Sequence, residues 1–261
     1  MSGMPRTQGP GRRPSRGDRV RTAATLMVAW VALLWLLEVV DVATGHALDR
    51  FGIVPRVPSE LVDVVPASFV HFGFAHLSAN SVPLLVLGFL AALGGVGRFL
   101  AVCALIVVAD GLGVWLVSPA YSNTAGASGL IFGLFGFLLV SGFVERRPLG
   151  ILAGVLVTAV WGGTILSGLA PTQSGVSWQG HLIGLAAGVL AAFAFRREPR
   201  ARPSGVAARA VGRGAGGYSV RPRTRRSSRA HTNRAMPMKP LTEKKARLSR
   251  DRSCGRTMEC S

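Results

Sequence analysis

The stretch NTAGASGLIFGLFG, Asn123–Gly136, decides how the rest of the chain is read. A polar loop turns here into an apolar helix, and Ser128 stands at the turn with Gly126 and Gly129 beside it. Glycine has no side chain, so another backbone or a bound molecule can come close to the serine oxygen. A serine opening a helix is ordinarily a cap, so a chemical role needs a partner. The best one is His181, in the segment QGHLIGLAAG (Gln179–Gly188). Gly184 and Gly188 follow it at i+3 and i+7, so the imidazole and two small residues share one helix face. Gly129 and Gly133 offer a matching smooth face on the serine's helix, and close packing of the two would bring hydroxyl and ring within reach.

Around this pair the chain has the composition of a membrane protein, with 49% hydrophobic residues and a mean hydropathy of +0.39. The net charge of +18 belongs to the ends. Residues 1–21 hold six Arg against one Asp, residues 196–261 hold nineteen Lys or Arg against four acids, and the 174 residues between hold five Arg against seven acids. Basic flanks on apolar spans are held at the anionic cytoplasmic face of a bilayer. Nucleic acid is not expected as a partner, because no aromatic residues interleave with the charges of RPRTRRSSR in the tail. Cys103, Cys254 and Cys260 form neither a disulfide framework nor a metal-ligand spacing, and no cofactor or metal is expected.

About twenty helical residues cross a hydrocarbon core. Six candidates are present, at Ala23–Val42, Phe69–Leu93, Phe99–Val117, Ser128–Val144, Leu149–Leu169 and Trp178–Phe195, with Pro83, Gly94 and Gly111 expected to make the second and third irregular. The first has no small-residue cleavage site and reads as a retained anchor. With the amino end inside, Arg98, Arg146, Arg147 and both basic termini fall on the cytoplasmic side, while Arg50 and Arg56 lie in the long outer loop. The expected organisation is all-α: a basic cytoplasmic arm at 1–21, a six-transmembrane-helix domain at 22–195 and a disordered basic cytoplasmic tail at 196–261. Glu38 and Asp41 are expected to reach the interface from the end of the first span, and Asp110, deeper in the third, to bond a neighbouring helix or carry a proton.

In this topology the second, fourth and sixth spans all descend from the outer surface. His76, Asn80, Ser128 and His181 then lie within roughly 15 Å of one depth, at a rise of 1.5 Å per residue. His76 and Asn80, four apart in HFGFAHLSAN, share a helix face and could donate hydrogen bonds to a developing oxyanion. His71, about 140° away around the same helix at about 100° per residue, is expected to tie the outer loop.

Taken together, HFGFAHLSAN with His71, His76 and Asn80, GASG with Ser128, and GHLIGLAAG with His181, Gly184 and Gly188 resemble the rhomboid intramembrane serine proteases over about residues 22–195. The resemblance implies a six-helix bundle in which a Ser128–His181 dyad cleaves transmembrane or membrane-anchored proteins near the outer face. It also implies an oxyanion site from His76, Asn80 and the Ser128 N–H, an aromatic ring stacked on the base, matched by Phe132, and substrate entry between the second and fifth spans. The Trp-Arg pair frequent in the family's outer loop is missing, and Gly180 stands where alanine is common. Two other readings are a catalytically inactive relative that binds client transmembrane helices, and a small transporter using His and Asp110. The second lacks any visible inverted repeat.

Overall fold

The computed structural model describes residues 15–171 and 175–197. The basic arm is thus described only from Ser15 and the tail only at Arg196 and Arg197; the disorder expected of both lies outside the described residues. Six α-helices follow one another: α1 Arg16–Ala43, α2 Phe74–Ala92, α3 Val96–Val117, α4 Ser128–Val144, α5 Pro148–Gly168 and α6 Trp178–Ala194. Among the described residues there is no strand, and one antiparallel bridge joins Ile53 to Thr124. Four helices, α1, α2, α3 and α5, are long and apolar enough to cross a membrane, whereas α4 and α6 have 17 residues each. At 1.5 Å per residue the short pair spans roughly 25 Å, less than a typical hydrocarbon core.

Local chemistry explains where the helices depart from the hydropathy pattern. α1 starts seven residues before Ala23 because Ser15 and Asp18 form a capping box: the Asp18 N–H donates to Ser15 Oγ (3.1 Å) and the Ser15 N–H to Asp18 Oδ2 (2.9 Å). α2 starts at Phe74, not Phe69, because Gly73 takes φ +100°, a conformation closed to a helical L-residue. His71 therefore precedes the helix, and the angular argument that set it apart from His76 does not apply. Pro83 and Gly111 interrupt neither helix; Gly111 instead lets Val64 of the loop between α1 and α2 press against α3, with a would-be Cβ 2.6 Å from Val64 Cγ1.

α4 is the central helix and packs on α6 backbone to backbone. A Cβ on Gly184 would strike the Gly129 carbonyl, one on Gly188 the Gly133 carbonyl, and one on Gly136 would stand 2.7 Å from the Leu185 carbonyl oxygen. Small residues let two helices approach this closely in a bilayer, where dispersion and not water exclusion holds helices together. α3 covers the seam, with Ile106 against Gly133 and Val114 against Gly180. At the end of the bundle away from Ser128, Glu145 receives Arg98 in an ion pair, lies 3.4 Å from the Arg147 guanidinium and accepts from the Arg197 N–H (3.4 Å). At the Ser128 end, the loop between α1 and α2 is clamped to α3: the Arg56 guanidinium donates to the carbonyls of Leu116 (3.2 Å) and Ser118 (2.8 Å), and Trp115 Nε1 to that of Val57 (2.9 Å).

Candidate active site

Ser128 is the first residue of α4, and the loop leading to it is tied on both sides. Gly126 takes φ +128° and its N–H donates to the Ala67 carbonyl (2.8 Å), while the next N–H, of Ala127, donates to His71 Nε2 (3.2 Å). His71 is thus an acceptor at Nε2 and holds the loop between α1 and α2 against the start of α4. Ser128 itself is half-buried. In the first turn of a helix its N–H has no intrahelical acceptor.

His181 lies in the first turn of α6, which Ser177 caps by accepting from the Gly180 N–H (3.3 Å). Its ring is held on two sides. Nδ1 lies 2.8 Å from the Gly168 carbonyl at the end of α5, and since a carbonyl only accepts, the proton sits on Nδ1. Phe132, one turn into α4 from Ser128, stacks on the ring with centroids 4.0 Å apart and planes 12° from parallel. Space for both comes from Gly168, where a Cβ would stand 2.6 Å from Phe132 Cζ and 3.1 Å from His181 Nδ1. The tautomer leaves Nε2 with its lone pair free. Among the described residues no acid orients this histidine; the Gly168 carbonyl does.

Ser128, His181, His76 and Asn80 all line one cavity of about 760 Å³ between α2 and α5. The single pocket expected of these four residues is matched by a cavity that all four line. Asn80 is buried, and its Nδ2 has no hydrogen-bond partner among the described residues. The His76 ring is held edge-on by His71 (5.2 Å between centroids) and by Gly126, whose absent Cβ would meet His76 Cε1 at 2.6 Å. Among the described residues no hydrogen bond joins Ser128 Oγ to the His181 ring. Of the other residues singled out in the sequence, Gly129, Gly184 and Gly188 form the α4–α6 seam described above. Asp110 packs its carboxyl against Gly129 and Gly180, with Oδ1 unpartnered among the described residues.

Two contributors could not be read from residue types. The Gly168 carbonyl and the Ala127 N–H are backbone groups, present at every position, and only folding shows which of them meets an imidazole. Gly168 does carry a weak signal, a small residue at the end of an apolar run.

A family model described as "Rhomboid domain" matches residues 58–198, from the loop between α1 and α2 to just beyond α6. An uncharacterized protein of Mycobacterium tuberculosis is 43% identical over 200 residues, covering 74% of this chain and 82% of that protein. A second, from Mycobacterium leprae, is 40% identical over 192 residues, 70% of this chain and 76% of its own. "Putative rhomboid protease YdcA" of Bacillus subtilis is 28% identical over 185 residues, 67% of this chain and 89% of that protein. With more than half of its length matched, and with all-helical, multi-pass architecture, the chain belongs to the Rhomboid family.

Proposed function

We infer that the protein is an intramembrane serine endopeptidase that cuts transmembrane or membrane-anchored proteins near the outer membrane face. The observation that carries this reading is the state of His181: with Nδ1 committed to the Gly168 carbonyl and the ring stacked on Phe132, Nε2 is left as a base in the cavity that Ser128 also lines. In the proposed reaction Nε2 takes the Ser128 proton as Oγ attacks the scissile carbonyl. The resulting oxyanion is met by the unpartnered Asn80 Nδ2, the His76 ring and the Ser128 N–H. The tetrahedral intermediate expels the amine, which receives the proton from Nε2, and an ester remains on Ser128. Water deprotonated by the same nitrogen then releases the acid. A serine–histidine hydrogen bond, not made among the described residues, would form as substrate enters, since catalytic contacts are commonly completed only in the complex.

In the same reading all six helices form the membrane bundle, with the amino end, the tail and the Glu145 end cytoplasmic, and the basic termini lying on anionic lipid. A substrate helix would enter between α2 and α5, whose residues face each other across the cavity, and would need to unwind locally because an intact helix hides its carbonyls.

The test is cleavage of a tethered model transmembrane helix by the purified protein in liposomes. Ser128→Ala and His181→Ala should each lower the rate by roughly 10⁴-fold or more with the helical content unchanged. Asn80→Ala should lower kcat about 10²-fold with little change in KM. A folded wild type that binds transmembrane helices and cuts none, in detergent and in bilayers, would instead identify an inactive binder of client helices.

A further inference from the structure

At the same end of the bundle as the cavity, but on α1, lies a second cluster of chemistry-bearing side chains that the proposed reaction does not use. α1 ends at Ala43, and the chain turns back through Gly45 (φ +68°) and His46 (φ +64°), so that the His46 N–H donates to the Asp41 carbonyl (2.8 Å). The turn sets His46 Nδ1 2.8 Å from Asp41 Oδ2 and 3.8 Å from Asp49 Oδ2. One donor atom from each of Asp41, His46 and Asp49 lies within 4.8 Å of the other two. Four donors around a tetrahedral ion with bonds of about 2.1 Å stand roughly 3.4 Å apart, so the observed spacings bracket what an ion needs.

An ion pair and a helix-end turn would account for Asp41 and His46 alone. They do not account for Glu38. It lies one turn before Asp41 on the same face of α1, is 2% exposed, and neither carboxylate oxygen has a hydrogen-bond partner among the described residues. Asp49 likewise turns a buried, unpartnered Oδ1 inward. Glu38 and Asp41 are both buried within the protein. Two carboxylates thus converge on one imidazole, with Glu38 buried one turn away, and among the described residues no lysine or arginine lies within ion-pair distance of them. The adjacent Arg50 places its guanidinium over Phe51. A buried carboxylate without partner or cation is costly, and a bound cation would offset that cost.

We propose that Asp41, His46 and Asp49, backed by Glu38, form a binding site for one divalent first-row transition-metal ion. The donor set selects the class: an imidazole nitrogen disfavours calcium and magnesium, and the absence of thiolate leaves the borderline ions zinc, cobalt and manganese. His46 is more than half exposed, so an ion has a way in. The site is coupled to the cavity rim. The Asp49 carbonyl accepts from Asn123 Nδ2 (3.0 Å), Ile53 pairs with Thr124 (2.8 and 3.1 Å), and Asn123 and Thr124 both line the cavity. An ion holding the Asp49 turn therefore also holds the strip of loop that leads to Ser128.

The experiment uses tag-free, full-length, chelator-stripped protein in detergent, with Cys254→Ser and Cys260→Ser to remove the tail thiols. Cobalt(II) is titrated and followed by visible absorption, then displaced by zinc. One equivalent per chain is expected, with affinity falling about 10- to 100-fold in His46→Ala and in Asp49→Asn. Zinc should raise the melting temperature of the parent and leave that of both variants unchanged. Asp41 is left intact because its Oδ1 accepts the Leu48 N–H (2.7 Å) and its loss would disturb the turn itself. Absence of stoichiometric binding, equal binding by both variants, or preference for calcium over zinc would each overturn the proposal. None of these readouts depends on peptide cleavage, so the site stands or falls separately from the protease reading.

Discussion

Helices α4 and α5 are neighbours built from similar residues, and the bundle treats them oppositely. Eleven of the 17 residues of α4 are buried, against four of 21 in α5: Gly154, Val157, Ile165 and Gly168. Much of the rest of α5, including Leu149, Leu152, Leu156 and Val160, is exposed apolar surface suited to lipid. α5 is fastened towards its two ends, at one to α4 by Gly142 against Gly150 and Gly154 against Leu138, at the other to α4 and α6 by Gly168 against Phe132 and His181. Apolarity therefore does not separate a helix that forms the core from one that borders it. What separates them is what stands in front of their glycines: a close side chain or backbone at every glycine of α4, and open space at Gly163 in α5.

A graded series of substitutions tests that difference. The largest effect is expected of Gly184→Val, whose side chain would enter the Gly129 backbone with no flexible atom to yield. It should destabilise the fold by about 3 kcal/mol, measured by unfolding in detergent, and abolish activity with it. Gly168→Ala comes next but differs in kind. Its Cβ would press on Phe132 and on His181 Nδ1, so kcat on a model substrate should fall about tenfold or more while the melting temperature moves little. A melting shift as large as that of Gly184→Val, with kcat preserved, would show that the upper fastening is structural only. Gly154→Ala places a Cβ 3.1 Å from the Leu138 carbonyl and should cost about 1 kcal/mol. Smallest is Gly163→Ala, with nothing within 4 Å; it should leave activity intact and stabilise by less than about 1 kcal/mol through helix propensity. If Gly163→Ala were as damaging as Gly154→Ala, the middle of α5 would have a partner that the bundle does not supply.

The same contrast explains what was legible in the sequence. The seam was legible because glycines at i+3 and i+7 from His181 can face glycines on the serine's helix, and close packing through small residues has a spacing that survives without coordinates. The shared cavity was legible because helices of common direction convert sequence offsets into depth. The start of α1 was hidden since a capping box is polar and hydropathy begins counting at the first apolar residue; the start of α2 was hidden since nothing in the letters VHFGF says that Gly73 takes a positive φ. The support of His181 was hidden in part: the ring of Phe132 followed from the family resemblance, whereas the Gly168 carbonyl has no side chain to announce it. The burial of Glu38 and Asp41 depends on a loop folding back over a helix end, which periodicity does not encode.

The central claim is that the Ser128 hydroxyl is a nucleophile activated by His181. It is tested most directly by exposing the folded protein in detergent to a fluorophosphonate probe and locating the adduct by mass spectrometry. The account predicts one adduct, on Ser128, absent in Ser128→Ala and strongly reduced in His181→Ala. A folded wild type that cuts a tethered helix without labelling at Ser128, or a label that persists in Ser128→Ala at the wild-type level, would contradict it.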